Sequence, residues 1–172
     1  MPDQTTDREH RIVVGVDGSP CSKTALRWAM NQARQTGADV EAVAAWQFPT
    51  VYGAGFGYAY PSSTFDGGSA AADALKALDE TVSDVSAESD QPVKVLTRVV
   101  EGHPAEVLIT AAAGARMLVV GTRGHGSFAG ILLGSVSQHC VQHAPCPVVV
   151  VPPAVETAAS HIPNTDDAWS QS

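Results

Sequence analysis

The run Gly121-Thr122-Arg123-Gly124-His125-Gly126-Ser127, with nine residues separating Gly124 from Gly134-Ser135, has the residue types of a loop that cradles phosphate. Glycine lets the backbone take positive φ and approach a ligand with no Cβ in the way, so successive N–H groups can converge on anionic oxygens. Gly134 and Ser135 then deliver a helix start, whose unpaired N–H groups and positive dipole end favour an anion, with the Ser135 hydroxyl as a further donor. The segment Gly130-Ile131-Leu132-Leu133-Gly134-Ser135 has the wrong spacing for a Walker A loop and lacks its lysine, and no G-x-G-x-x-G follows a strand. Tight turn geometry alone is the competing explanation for glycines between a strand and a helix.

Other candidate groups are weighed against plainer roles. Asp17-Gly18-Ser19 suits a turn and helix cap. A carboxylate beside phosphates is repulsive unless it accepts a ribose or base donor or shares a Mg²⁺, the other role open to Asp17. His139, Cys140, His143 and Cys146 offer four metal-ligating types within eight residues. Cys146 lies between two prolines at a strand start, however, and a structural zinc site wants four convergent ligands, so no zinc site is expected. Cys140 reads as a buried apolar position. His103, just before Pro104, reads as structural rather than as a general base. No G-x-S-x-G elbow occurs, and no dedicated lysine, arginine finger or base argues for rapid phosphoryl transfer.

The elements that must position these residues alternate between strand and helix. Ile12 to Val16 is a β-branched run closed by turn residues, and Leu26, Ala29, Met30 and Ala33 mark one face of a helix from Ser22 to Gly37. Asp39 to Trp46 predicts a second strand, and Ala71 to Val85 carries a second helical face. Val93 to Val100 predicts strand three. A helix then starts at Pro104 and ends near Gly114. Met117 to Val120, Ser135 to His143 and Val148 to Val151 complete the pattern as strand, helix and strand. Five strands alternating with four helices imply an α/β fold, an open five-stranded parallel sheet with helices on both faces, Rossmann-like, with expected strand order 3-2-1-4-5. Ligands in such sheets collect beyond the carboxyl ends of the strands, which directs attention to the turns after strands one and four.

The chain has 172 residues, enough for one core, which is expected over 11–153. Residues 1–10 and 154–172 read as disordered tails. The 48–68 stretch, rich in aromatics and glycine, reads as a flexible loop that either contacts a partner or closes as a lid, or is a tolerated insertion. A formal charge of −8 repels a nucleic-acid backbone, so any phosphate site must be local. No apolar run is long enough for a signal peptide or a membrane span, and the three cysteines make no disulfide framework, so the cytoplasm is the expected compartment. Val148, Val149, Val150 and Val151 would form an apolar edge strand that homodimerisation can cover.

Gly121, Gly124, Gly134 and Ser135 fit the pattern G, two residues, G, nine residues, G, then S or T, at every position. With Val13-Val14-Gly15-Val16-Asp17-Gly18-Ser19, Gly102-His103-Pro104-Ala105 and His143-Ala144-Pro145-Cys146-Pro147-Val148, the chain resembles the universal stress protein family from Ile12 to Val151. The resemblance implies an adenine nucleotide alpha hydrolase-like fold and an ATP site. The triphosphate would lie on Gly121, Thr122, Arg123, Gly124, His125, Gly126 and Ser127 and on Gly134, Ser135 and Val136. Ala45 would read adenine through its backbone, with Gly15, Val16 and Asp17 as walls and a Mg²⁺ as a possible guest of Asp17. Some nucleotide-binding relatives carry a basic residue where this chain has Ile131, and Arg123 is a candidate substitute. The expected role is that of a non-enzymatic or slowly hydrolysing stress regulator acting on an unknown protein partner. The rivals are an ATPase or nucleotidyl-transfer enzyme using the same pocket, and a partner-binding module without nucleotide.

Overall fold

Along the strands, alternate side chains divide between two apolar clusters, so each face of the sheet has its own core. The computed structural model describes residues 10–47, 67–123 and 133–153. The sheet is built from β1 (Arg11–Gly15), β2 (Asp39–Trp46), β3 (Val95–Glu101), β4 (Met117–Gly121) and β5 (Val148–Val151). Every pairing is parallel, in the order β3-β2-β1-β4-β5. The order expected from the sequence is the one found. The readings of the two tails and of most of the aromatic loop lie outside the described residues.

One face is covered by α1 (Pro20–Thr36) and α2 (Gly67–Ser86), and the other by α3 (Pro104–Ala111) and α4 (Ser135–His143). On the first face Ile12, Val14, Val40 and Ala42 pack with Leu26, Met30, Leu78 and Val85. On the second, Val13, Val43, Leu118 and Val120 pack with Val107, Leu108, Ala111 and Cys140. Cys140 is fully buried, as its sequence context implied, and that burial pushes its thiol up to about 11. Sequence and structure differ at element ends. β1 runs from Arg11 to Gly15 rather than from Ile12 to Val16, β3 starts two residues later than expected, and α2 starts at Gly67, inside the stretch read as loop. α3 stops at Ala111; Gly114, at φ +72°, sits in the turn beyond it.

A buried carboxylate ties three strands together. Glu41 of β2 is 5% exposed and meets Arg11 Nη1 of β1 at 2.7 Å and Arg98 Nε of β3 at 3.0 Å. Arg11 Nη2 also donates to the Ala111 carbonyl at 3.0 Å, so the same guanidinium satisfies the end of α3. A buried charge is tolerated only when paired in this way.

Candidate functional site

β1 and β4 are neighbours, yet the helices that follow them pass to opposite faces of the sheet. The chain therefore parts beyond their carboxyl ends and leaves a crevice there. The first wall is the turn after β1. Val16 N–H donates to the Val43 carbonyl at 2.9 Å, and Gly18 takes φ +80°. Asp17 Oδ1 accepts from Ser19 N–H at 3.0 Å, while Ser19 Oγ accepts from Ser22 N–H at 3.2 Å and so caps α1. The reading of Asp17-Gly18-Ser19 as a turn and cap is thus what the backbone does.

The second wall is the start of α4, and it is built differently. Gly134 is the N-cap at φ −70° and ψ 161°, and as a glycine it brings no side chain to cap the helix. Gln138 N–H donates to the Gly134 carbonyl at 2.9 Å as the first bond of the helix, which puts the N–H groups of Ser135, Val136 and Ser137 in its first turn, ahead of the intrahelical ladder. Two bonds hold that turn in place. Gly134 N–H donates to the Thr122 carbonyl at 2.7 Å, and the buried Ser137 Oγ donates to the Gly121 carbonyl at 2.6 Å. Thr122 N–H in turn donates to the Val151 carbonyl at 3.1 Å. The Thr122 and Gly134 amides are therefore spent on holding the wall rather than left open to a ligand.

Between these walls lies a cavity of about 280 Å³. Val16, Val43, Ala45, Pro104, Leu108 and Val120 give it an apolar side; Asp17, Ser22, Arg123, Ser135 and Ser137 give it a polar one. Arg123 is half-buried, and its Nε is shielded from solvent with no hydrogen-bond partner among the described residues. A cation, a helix start and several apolar side chains lining one cavity suit a ligand that joins an anion to an apolar group.

Of the residues expected from the sequence, Gly15, Val16, Asp17, Ala45, Gly121, Arg123, Gly134, Ser135 and Val136 all line this cavity. Thr122 stands behind the wall, and Gly124, His125, Gly126, Ser127 and Ile131 lie outside the described residues. Ser22, Val43, Pro104, Leu108, Val120 and Ser137 were not anticipated. Val43 was within reach, because it shares a strand face with Ala45 at period two. Among the described residues no three His, Cys, Asp or Glu side chains converge as a metal site.

Gly121 has a different reason from the one its spacing suggests. A Cβ there would lie 2.9 Å from the carbonyl carbon and oxygen of Cys21, so the missing side chain lets the start of α1 pack on the end of β4. At Gly15 an added Cβ would meet only the movable Leu108 side chain, 2.8 Å away.

Fold and site together define an open, doubly wound α/β domain with a cleft at its switch point. The chain belongs to the universal stress protein family, whose model matches residues 9–152. A universal stress protein of Mycobacterium tuberculosis is 34% identical over 152 residues, covering 82% of this chain and 47% of that one. One of Mycolicibacterium smegmatis is 34% identical over 146 residues, covering 83% and 45%. The chain spans about half the length of these curated relatives. Among solved structures, UspA from Lactobacillus plantarum superposes with a TM-score of 0.64 at 25% identity, covering 84% of this chain and 98% of that one. A universal stress protein solved in complex with cAMP gives 0.56 at 25% identity, covering 84% and 97%.

Gly121→Ala is expected to cost about 2 kcal/mol of stability through overpacking against the Cys21 backbone, and Gly15→Ala at most about 1 kcal/mol. Chemical denaturation of the two variants checks the difference; equal losses would contradict it.

Proposed function

We propose that the cavity binds an adenine nucleotide, ATP foremost, and that occupancy regulates what the protein presents to a regulatory protein partner during stress. The observation that carries the reading is a single cavity lined by the first turn of α4, which begins at a glycine with no capping side chain, by Arg123 and by several apolar side chains. Phosphate oxygens would take the N–H groups of Ser135, Val136 and Ser137, with Arg123 supplying a positive charge that the chain's overall −8 does not. The base would lie along Val43, Ala45 and Leu108, and Asp17 would accept a ribose hydroxyl or hold a Mg²⁺ shared with the phosphates. The relative solved with cAMP, an adenine nucleotide, agrees in ligand class. The role is read as regulatory because the sequence offers no dedicated lysine, arginine finger or base for rapid phosphoryl transfer. A homodimer through Val148, Val149, Val150 and Val151 belongs to the same reading, since β5 is the outermost strand of the sheet. A chain that sediments as a monomer at all concentrations would rule that part out.

Ser135→Pro separates the helix amide from the rest of the site. Proline is tolerated at a first helical position, and the extended Gly134 is compatible with a following proline, so the substitution deletes one N–H without breaking α4. By calorimetry, ATP should bind Ser135→Pro about tenfold more weakly than the native chain, a loss of ~1.4 kcal/mol. Ser135→Ala, which removes only the hydroxyl, should stay within about threefold. Unchanged affinity in Ser135→Pro would contradict phosphate binding at this helix start.

A further inference from the structure

We propose that His139 and His143 form a two-point chelate for a late first-row divalent transition-metal ion, copper(II) foremost, on the outer face of α4. The two residues stand four apart in one helix, which stacks their side chains on one face. Their ring centroids are 4.4 Å apart, with the planes tilted by 47°. Both are exposed, whereas Cys140 between them points into the core. Neither imidazole is committed to a hydrogen bond or an ion pair among the described residues.

Two neutral imidazoles at this separation can each turn one nitrogen toward a common point, and a metal–nitrogen bond of about 2.0 to 2.1 Å then needs only side-chain rotation. Water would fill the remaining positions. The donor set is nitrogen alone, which selects ions such as copper, nickel and zinc over magnesium or calcium, and copper(II) binds most tightly in that series. His143 lies in the last turn of α4, where the negative end of the helix dipole favours a cation. The chain's formal charge of −8 adds a general attraction for cations. The Cys146 thiol, raised by its own burial, belongs to the apolar cluster beneath α4 and is not a third ligand. A two-ligand site is exchangeable, so this is not the four-ligand zinc centre set aside on sequence grounds. It is also independent of the nucleotide reading.

The test is calorimetric titration of the full, tag-free chain with Cu²⁺ in a non-chelating buffer, with Mg²⁺ as the counter-probe. One Cu²⁺ per chain should bind at a site that His139→Ala and His143→Ala each weaken by at least about tenfold, with the double variant little worse than either, because a chelate fails when one arm is lost. Mg²⁺ should give no such site. Thermal unfolding without metal should be unchanged in all three variants, since both positions are exposed. Single variants that keep native affinity within about twofold, or losses that simply add as for independent histidines, would overturn the proposal.

Discussion

The first turn of α4 is held against the end of β4 by bonds that do not use its own forward-facing amides, and the site depends on that arrangement. Gly134 N–H reaches the Thr122 carbonyl and Ser137 Oγ reaches the Gly121 carbonyl, so the turn is fixed from behind and from the side. The residues of that turn, Ser135, Val136 and Ser137, line the cavity. The start of α1, which lines the same cavity through Asp17 and Ser22, shows the contrast: Ser19 caps it and Asp17 closes the preceding turn. Two helix starts share one cavity; a serine side chain caps α1, whereas the N-cap of α4 is a glycine, and a helix start that shares a cavity with a shielded guanidinium nitrogen has a physical use for an anion.

The sheet makes this possible through its strand order. Because β1 and β4 are adjacent while α1 and α4 lie on opposite faces, the crevice opens where the winding reverses, and the two apolar cores stay separate beneath it. The absent Cβ at Gly121 lets α1 begin close to β4, and the Glu41 pair of arginines holds β1, β2 and β3 together. Thr122 links the cavity wall to the outer strand as well, since its N–H donates to Val151 at the end of β5.

The fold was legible because apolar runs and turn residues punctuate this sequence clearly. Asp39 to Trp46 and Val148 to Val151 stand in the structure with the bounds their composition suggested, the first entered through Gly37 at φ +69° and the second closed by two prolines. β1 and β3 shift by one or two residues, because strand ends are set by pairing, as Arg11 with Asp39 and Trp46 with Glu101, and pairing is not written locally. At the site, spacing located the glycines but not their reasons. Gly121 answers to the backbone of Cys21, a hundred residues earlier, and Gly134 is extended rather than left-handed. Leu108 and Ser137 escaped notice because their contribution comes from packing between elements far apart in sequence.

Backbone amide NMR of the ¹⁵N-labelled chain titrated with ATP reads the central claim at the atoms concerned. The account predicts saturable shifts centred on Ser135, Val136 and Ser137, with smaller ones at Val16 and Ala45, while Thr122 and Gly134 keep their internal bonds. Saturation that leaves the first turn of α4 untouched, or no shifts at all at millimolar ATP, would contradict it.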